Sequence, residues 1–169
     1  MITTPTVLIL GAGASKPFGF PTGRELLHEV VENLVEEPKK FPRTQLLRLG
    51  YSAEEIRSFR IFLSKSGQPS VDAFLEHRPE FVRLGKTAIA QALIPCESPE
   101  TLFDKTRDSV NWYQHLSDLM DTSLHGFRKN EVSVLTFNYD RSLEAYFFFC
   151  TAKQSQAVRC GMCRVVGRT

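Results

Sequence analysis

The sequence predicts an α/β fold in which two short parallel strands are separated by a long helical segment. The first strand is indicated by the apolar run at residues 7–10, which ends at Gly11 and is typical of a strand buried on both faces of a parallel sheet. The second strand pattern covers residues 132–137, directly before Asn138. About a hundred residues with mostly helical periodicity lie between the two strands.

Helix start signals recur through the segment between the strands. These signals are Thr22 with Glu25, Ser52 with Glu55, and Ser70. Apolar residues follow each signal at helical spacing, and a similar pattern at residues 112–123 predicts a longer helix that stops at Gly126. A last helix is predicted from about Ser142 onward. The helical insertion is therefore expected to cover about residues 40–128.

Two strands alone make a poor sheet, so their apolar faces call for neighbours. Residues 164–166 are a weak candidate for a further strand. We expect either that the chain is a C-terminally truncated version of a larger domain or that a partner chain or a second copy completes it, and we favour truncation. Residues 1–152 would then form the incomplete domain, followed at residues 153–169 by an irregular, basic, cysteine-containing tail from a shifted or prematurely ended reading frame.

Composition and charge predict a single cytoplasmic domain. Apolar and charged fractions are ordinary for a soluble protein, no secretory signal begins the chain, and no segment approaches the ~20 apolar residues of a membrane helix. The net charge of +2 arises from four cations in the tail, since no acidic residue follows Glu144. We therefore expect neither a membrane partner nor direct nucleic-acid binding, which needs a basic face on the fold.

The four cysteines are expected to be reduced thiols in the cytosol. Cys160 and Cys163 form one C-x-x-C pair, and Cys150 is a possible third ligand. A structural zinc site needs four ligands, and no second C-x-x-C pair is present. Ordinary thiols are the favoured reading, so no metal site is predicted.

A glycine-rich turn follows the first strand. Its residues are Gly11, Ala12, Gly13, Ala14 and Ser15, with Gly19 and Pro21 shortly after. Glycines allow a sharp turn and close approach of a ligand, whose phosphates backbone N–H groups can hold; a plain strand-to-helix turn is the alternative. The phosphate loop of ordinary ATPases is absent, and the dehydrogenase pattern G-x-G-x-x-G would require glycine at Lys16.

A second polar motif follows the second strand. Thr136, Asn138 and Asp140 lie at its carboxyl end, where open α/β sheets bind ligands. An amide and a carboxylate at this place can form directed hydrogen bonds to a sugar hydroxyl or to a carboxamide. Taken alone, the same residues are also typical of a turn or a helix cap.

Together the two motifs resemble the sirtuin family. Residues 11–15 and 19–21 look like its G-A-G-x-S…G-[IF]-P segment, and residues 136–140 look like its T-[QF]-N-[IY]-D segment. A long helical insertion between the motifs, residues 70–76 and residues 111–113 resemble bacterial sirtuin-like domains of phage-defence systems. The resemblance extends from about residue 7 to about residue 149.

This resemblance implies a Rossmann-like parallel sheet with a helical subdomain inserted between the motif-bearing strands, and an NAD⁺ glycohydrolase as the parent activity. It implies that Gly11, Ala12, Gly13 and Ser15 hold the pyrophosphate of NAD⁺. Asn138 would position the nicotinamide ribose or an attacking water, and Asp140 would bind the nicotinamide carboxamide. The remaining cofactor-binding residues implied by the motifs are Gly19, Pro21 and Thr136.

The sequence also departs from the family. The family's catalytic histidine lies downstream of its Asn/Asp pair, whereas no histidine follows Asp140 in this chain. The four histidines present are expected to be structural or solvated; they are His28, His77, His115 and His125. The paired C-x-x-C module of deacetylating sirtuins is absent, which disfavours deacetylation. A silent NAD or ADP-ribose-binding module and an inert fragment remain alternatives to a hydrolase.

Overall fold

The computed structural model describes residues 1–36, 41–103, 111–121, 123 and 125–151. The predicted tail at residues 153–169, with its C-x-x-C pair and its weak strand candidate, lies outside the described residues. The chain divides into two compact units: a strand unit made of Met1–Phe18 with the residues from Pro99 onward, and a helical unit made of Gly19–Ser98. The helical unit begins before the predicted residue 40 because the first helix packs within it.

The strand unit contains the two strands that the sequence predicts. β1 covers Thr6–Leu10 and β2 covers Val132–Thr136. They pair in parallel, in a register that runs from Thr6 opposite Val132 to Leu10 opposite Thr136. The mixed helix–strand architecture and the parallel pairing are therefore confirmed. Since both strands end at the same level, the residues that follow Leu10 and Thr136 leave the sheet side by side.

One face of this sheet is uncovered. Val7, Ile9 and Leu135 alternate with the inward residues and are 60%, 69% and 57% exposed. The expectation that the first strand is buried on both faces is therefore wrong. One face of the strand is exposed because the described part of the chain covers the two-stranded sheet on one side only.

The helical unit holds the larger apolar core. Its helices are α1 (Gly23–Asn33), α2 (Phe41–Arg48), α3 (Ala53–Ser64), α4 (Val71–Glu76) and α5 (Val82–Leu93). α5 contacts the four others, and its buried residues recur at helical spacing. Phe59 is fully buried between the rings of Phe74 and Phe81. The sequence patterns did not indicate α2, whose amphipathic pattern is weak.

The predicted caps are present in the helical unit. The backbone N–H of Thr22 donates to Glu25 Oε2 at 2.8 Å, as a capping box requires. Ser52 and Ser70 each accept a backbone N–H three residues on, at 3.1 and 3.2 Å. These contacts are local in sequence, which is why the pattern alone locates them.

The helices of the strand unit are α6 (Pro99–Leu102), α7 (Trp112–Leu119) and α8 (residues 142–151). α7 is shorter than the pattern at residues 112–123 predicts, because Met120 is already extended. Among the residues that the structure describes, no helix is both long enough and apolar enough to cross a membrane.

Asn130 explains the early end of α7. Its Oδ1 accepts the N–H groups of Ile2 and Asp121, both at 3.1 Å. Its Nδ2 donates to the carbonyl groups of Asp121 and Phe127, both at 2.9 Å. One side chain therefore joins the chain start, the segment after α7 and the approach to β2. These bonds draw Asp121 out of the helical path.

Asn130→Asp should lower the free energy of unfolding by about 2 to 4 kcal/mol at pH 7, because a carboxylate oxygen would replace the amide that donates to two carbonyl groups. The loss should shrink at pH 4, since a protonated carboxyl at position 130 can donate again. Urea unfolding against the unmodified chain at each pH measures both effects. Asn111→Asp is the matched control, because Asn111 caps α7 and aspartate caps equally well. An equal loss in both variants would contradict this role of Asn130.

Candidate functional site

A cavity of about 590 Å³ lies within the strand unit, on the covered face of the sheet. This volume is within the range of small-molecule sites. The sheet contributes Leu10, Val132, Val134 and Thr136 to its wall, and α7 and α8 contribute mainly apolar side chains. The polar groups at its carboxyl-end rim are Ser15, Asn138 and Asp140. Both predicted motifs therefore contribute polar residues to the lining of this cavity.

The glycine-rich turn at residues 11–15 is held by its own backbone and by α7. Ala14 N donates to Gly11 O at 2.9 Å, and Ser15 N donates to Ala12 O at 3.3 Å. The indole Nε1 of Trp112 donates to Ala14 O at 2.8 Å. One residue along α7, the ring of Tyr113 stacks on Phe18 with centroids 4.0 Å apart. α7 thus holds the end of the turn at Ala14 and the residue Phe18 that follows it.

Glycine at positions 11 and 13 is not required by the folded chain. Gly11 has an ordinary φ of −113°, and Gly13 is not among the glycines with positive φ. A Cβ built at either position meets nothing within 4 Å. The space beside this backbone is therefore open to a ligand that approaches closely. Gly19 differs: it has a φ of 91° and, like Pro21, belongs to the helical unit.

Asn138 links the two motifs. Its side-chain Nδ2 donates to Ser15 Oγ at 3.0 Å, although the residues are 123 positions apart. Its backbone N–H donates to Thr136 Oγ1 at 3.0 Å, so Thr136 fixes the turn after β2. The Oδ1 atom of Asn138 is buried and has no hydrogen-bond partner. A buried amide oxygen left in this state is uncommon in folded proteins.

Asp140 is held from the start of α8. Its Oδ1 accepts the backbone N–H of Ser142 at 3.1 Å and also the hydroxyl of Ser142. The phenol of Tyr113 lies 2.6 Å from the same Ser142 hydroxyl. Burial raises the pKa of Tyr113 above its ordinary value, so its hydroxyl remains a donor. Asp140 is thereby fixed at the rim of the cavity.

The buried polar residues of the described chain are Ser15 and Ser142, which are 2% and 6% exposed. Both are at this site, and each bonds to one of the two motif residues, Asn138 or Asp140. Buried hydroxyls are stable only when bonded, so their presence here indicates a built polar cluster.

Other chemistry-bearing groups are sparse at the cavity. Arg128 and Glu144 line its wall, whereas none of the four histidines does. His28, His77, His115 and His125 are all exposed, which confirms that they are solvated side chains. No cluster of three or more metal-ligating side chains occurs within the residues that the structure describes.

The structure brings most of the predicted site residues into one unit. Those in the strand unit are Gly11, Ala12, Gly13, Ser15, Thr136, Asn138 and Asp140. Ser15 is buried against Asn138 rather than open beside the glycines. Sequence reasoning missed Trp112, Tyr113 and Ser142 as site residues. The adjacent aromatic pair at the start of α7 was the available signal, but its apolar spacing also suits ordinary core packing.

The chain was compared with models of protein families, with curated proteins and with solved structures. None of the three comparisons finds a match to it.

Proposed function

We propose that this chain binds NAD⁺ in the manner of a sirtuin-like domain, with the nicotinamide end in the cavity of the strand unit. The observation that carries the proposal is the buried, unpartnered Oδ1 of Asn138, a residue that lines that cavity. Leaving such an oxygen without a partner costs about 1 to 3 kcal/mol. A ligand hydroxyl, a carboxamide N–H or a positioned water would remove that cost.

The glycine-rich turn fits the phosphates of the same ligand. The open space beside Gly11 and Gly13 would admit a pyrophosphate to their backbone N–H groups. Ser15 supports this arrangement indirectly, because its hydroxyl ties the turn to Asn138. Phosphate and nicotinamide contacts would thus be made by two motifs that are joined by one hydrogen bond.

The carboxylate of Asp140 suits the cationic nicotinamide ring, because a nearby negative charge favours a positively charged ring over a neutral one. Glu144 also lines the cavity, but it lies 4.0 Å from Arg141, and Arg128 lines the same cavity. Only Oδ1 of Asp140 is engaged by Ser142 in the hydrogen bonds described above, so Oδ2 is the oxygen we assign to the carboxamide N–H. This is the contact that the family resemblance implies for Asp140.

The reaction that this arrangement supports best is hydrolysis of the bond between the ribose and nicotinamide. The bonding electrons leave with neutral nicotinamide, the oxygen of a water bonds to the ribose carbon, and its second proton passes to solvent. Asn138 Oδ1 would orient that water or the ribose hydroxyls, which is a contribution of placement. A Rossmann-like sheet, wider than the two strands described, and a role in bacterial phage defence belong to this proposal.

Binding without cleavage is the second candidate function. It is favoured by one observation: none of the residues that line the cavity is a histidine, so the family's usual general base has no counterpart there. A silent NAD⁺ or ADP-ribose-binding module needs the phosphate turn and Asn138 but no base. The two candidates share one site and differ only in nicotinamide release.

Asn138→Ala should weaken NAD⁺ binding at least about tenfold and abolish any nicotinamide release, because it removes the buried acceptor and its bond to Ser15. Calorimetry measures the affinity and chromatography measures released nicotinamide. Trp112 is the single tryptophan and bonds to the glycine-rich turn, so its fluorescence gives a second binding signal. Asn111→Asp, which keeps the cap of α7, is the control and should bind normally. A folded wild-type chain that neither binds nor cleaves NAD⁺ would refute the proposal.

Gly13→Ala should lower the affinity for NAD⁺ without lowering the stability of the folded chain. The new methyl meets open space in the free chain, so the free energy of unfolding should stay the same or rise by about 0.4 to 1 kcal/mol. NAD⁺ affinity should nevertheless fall, because the methyl would occupy the place proposed for phosphate. Gly19→Ala is the contrasting variant and should lower stability, since its φ of 91° disfavours any side chain. Unchanged NAD⁺ affinity in Gly13→Ala would show that the turn holds no phosphate.

A further inference from the structure

A chain of side-chain hydrogen bonds runs from α7 to the rim of the cavity. Ser142 donates its hydroxyl hydrogen to Asp140. A serine hydroxyl has a single hydrogen, so the bond between Tyr113 and Ser142 at 2.6 Å must be donated by the phenol. The order of donors is therefore Tyr113, then Ser142, then Asp140.

The side chain of Tyr113 is buried and packs against a neighbouring ring. Its side chain is 1% exposed, and its ring stacks on Phe18, which follows the glycine-rich turn. Tyr113 therefore contacts both Phe18, which follows the glycine-rich turn, and Ser142, which bonds Asp140.

We infer that Tyr113 is a positioning residue of the site, which fixes the carboxylate of Asp140 through Ser142. Without the phenol, Ser142 can turn its hydroxyl away from Asp140, and the carboxylate gains rotational freedom. The consequence for NAD⁺ affinity rests on the proposed function. The hold on Asp140 itself is a property of the free chain and can be measured without any ligand.

Tyr113→Phe removes the phenol oxygen and keeps the ring that stacks on Phe18. Tyr146→Phe is a matched control from the same unit. Tyr146 is 2% exposed, and its hydroxyl donates to Gln114 Oε1 at 2.8 Å, away from Asp140. Both variants lose one hydrogen bond of a buried tyrosine, although the bond itself is buried for Tyr113 and part-buried for Tyr146. A general loss of stability therefore affects both variants.

The first measurement is hydrogen exchange of the Ser142 backbone amide by NMR, since this N–H donates to Asp140 Oδ1. In Tyr113→Phe its exchange should accelerate about tenfold relative to amides of β2, the effect expected for loss of one bond in a charged network. In Tyr146→Phe the relative rate should not change. Equal acceleration in both variants, or none in Tyr113→Phe, would overturn the inference.

The second measurement is calorimetric titration with NAD⁺ of Tyr113→Phe, Ser142→Ala and the double variant. Each single variant should lose about tenfold in affinity for NAD⁺. The double variant should lose no more affinity than the single variant with the larger loss, because Tyr113 acts through Ser142. Tyr146→Phe should bind like wild type. Additive losses, or wild-type affinity in Tyr113→Phe, would overturn the inference.

The two measurements separate the inference from the proposed function. A wild-type chain that does not bind NAD⁺ contradicts the proposed function, and the exchange rate of Ser142 then decides the role of Tyr113 alone. A wild-type chain that binds NAD⁺ while Tyr113→Phe matches it contradicts the inference and leaves the proposed function standing.

Discussion

The hydrogen bond between Asn138 and Ser15 is the contact on which the candidate site depends. It exists only because β1 and β2 pair in parallel and end at the same level, with Leu10 opposite Thr136. A slip of one residue would turn every side chain of one strand to the other face of the sheet. The bond also leaves the remaining amide oxygen of Asn138 buried and unpartnered. The register of the two strands therefore sets both the contact between the motifs and the position of the unpartnered oxygen of Asn138.

α7 holds the residues around this hydrogen bond in place through two adjacent aromatic residues. Neighbouring residues on a helix point about 100° apart, so Trp112 and Tyr113 reach different targets. Trp112 bonds the carbonyl of Ala14, whereas Tyr113 stacks on Phe18 and bonds Ser142. α7 has to end soon after them for the chain to reach β2, and Asn130 sets that end by engaging both backbone groups of Asp121.

Local signals allowed much of the fold and part of the site to be predicted from the sequence. The caps at Thr22, Ser52 and Ser70 depend on groups within three residues, and both strand-end motifs were located by the apolar runs before them. Tyr113 bonds Ser142, which is 29 positions away, and Asn130 bonds Ile2, which is 128 positions away, so no local pattern predicts these two contacts. Exposure of the outer sheet face escaped prediction for a related reason, since burial of a strand depends on layers supplied by other segments.

The uncovered face of the sheet and the candidate site lie on opposite sides of β1 and β2. Val7, Ile9 and Leu135 point to the uncovered side, whereas the cavity is walled by Leu10, Val132, Val134 and Thr136. Covering the exposed face would bury apolar surface and stabilise the unit by roughly 25 cal/mol for each Å² removed from water. It would not add or remove a bond of the polar cluster, whose members all follow the strands or belong to α7 and α8. Stability of the sheet and geometry of the site are thus separable in this chain.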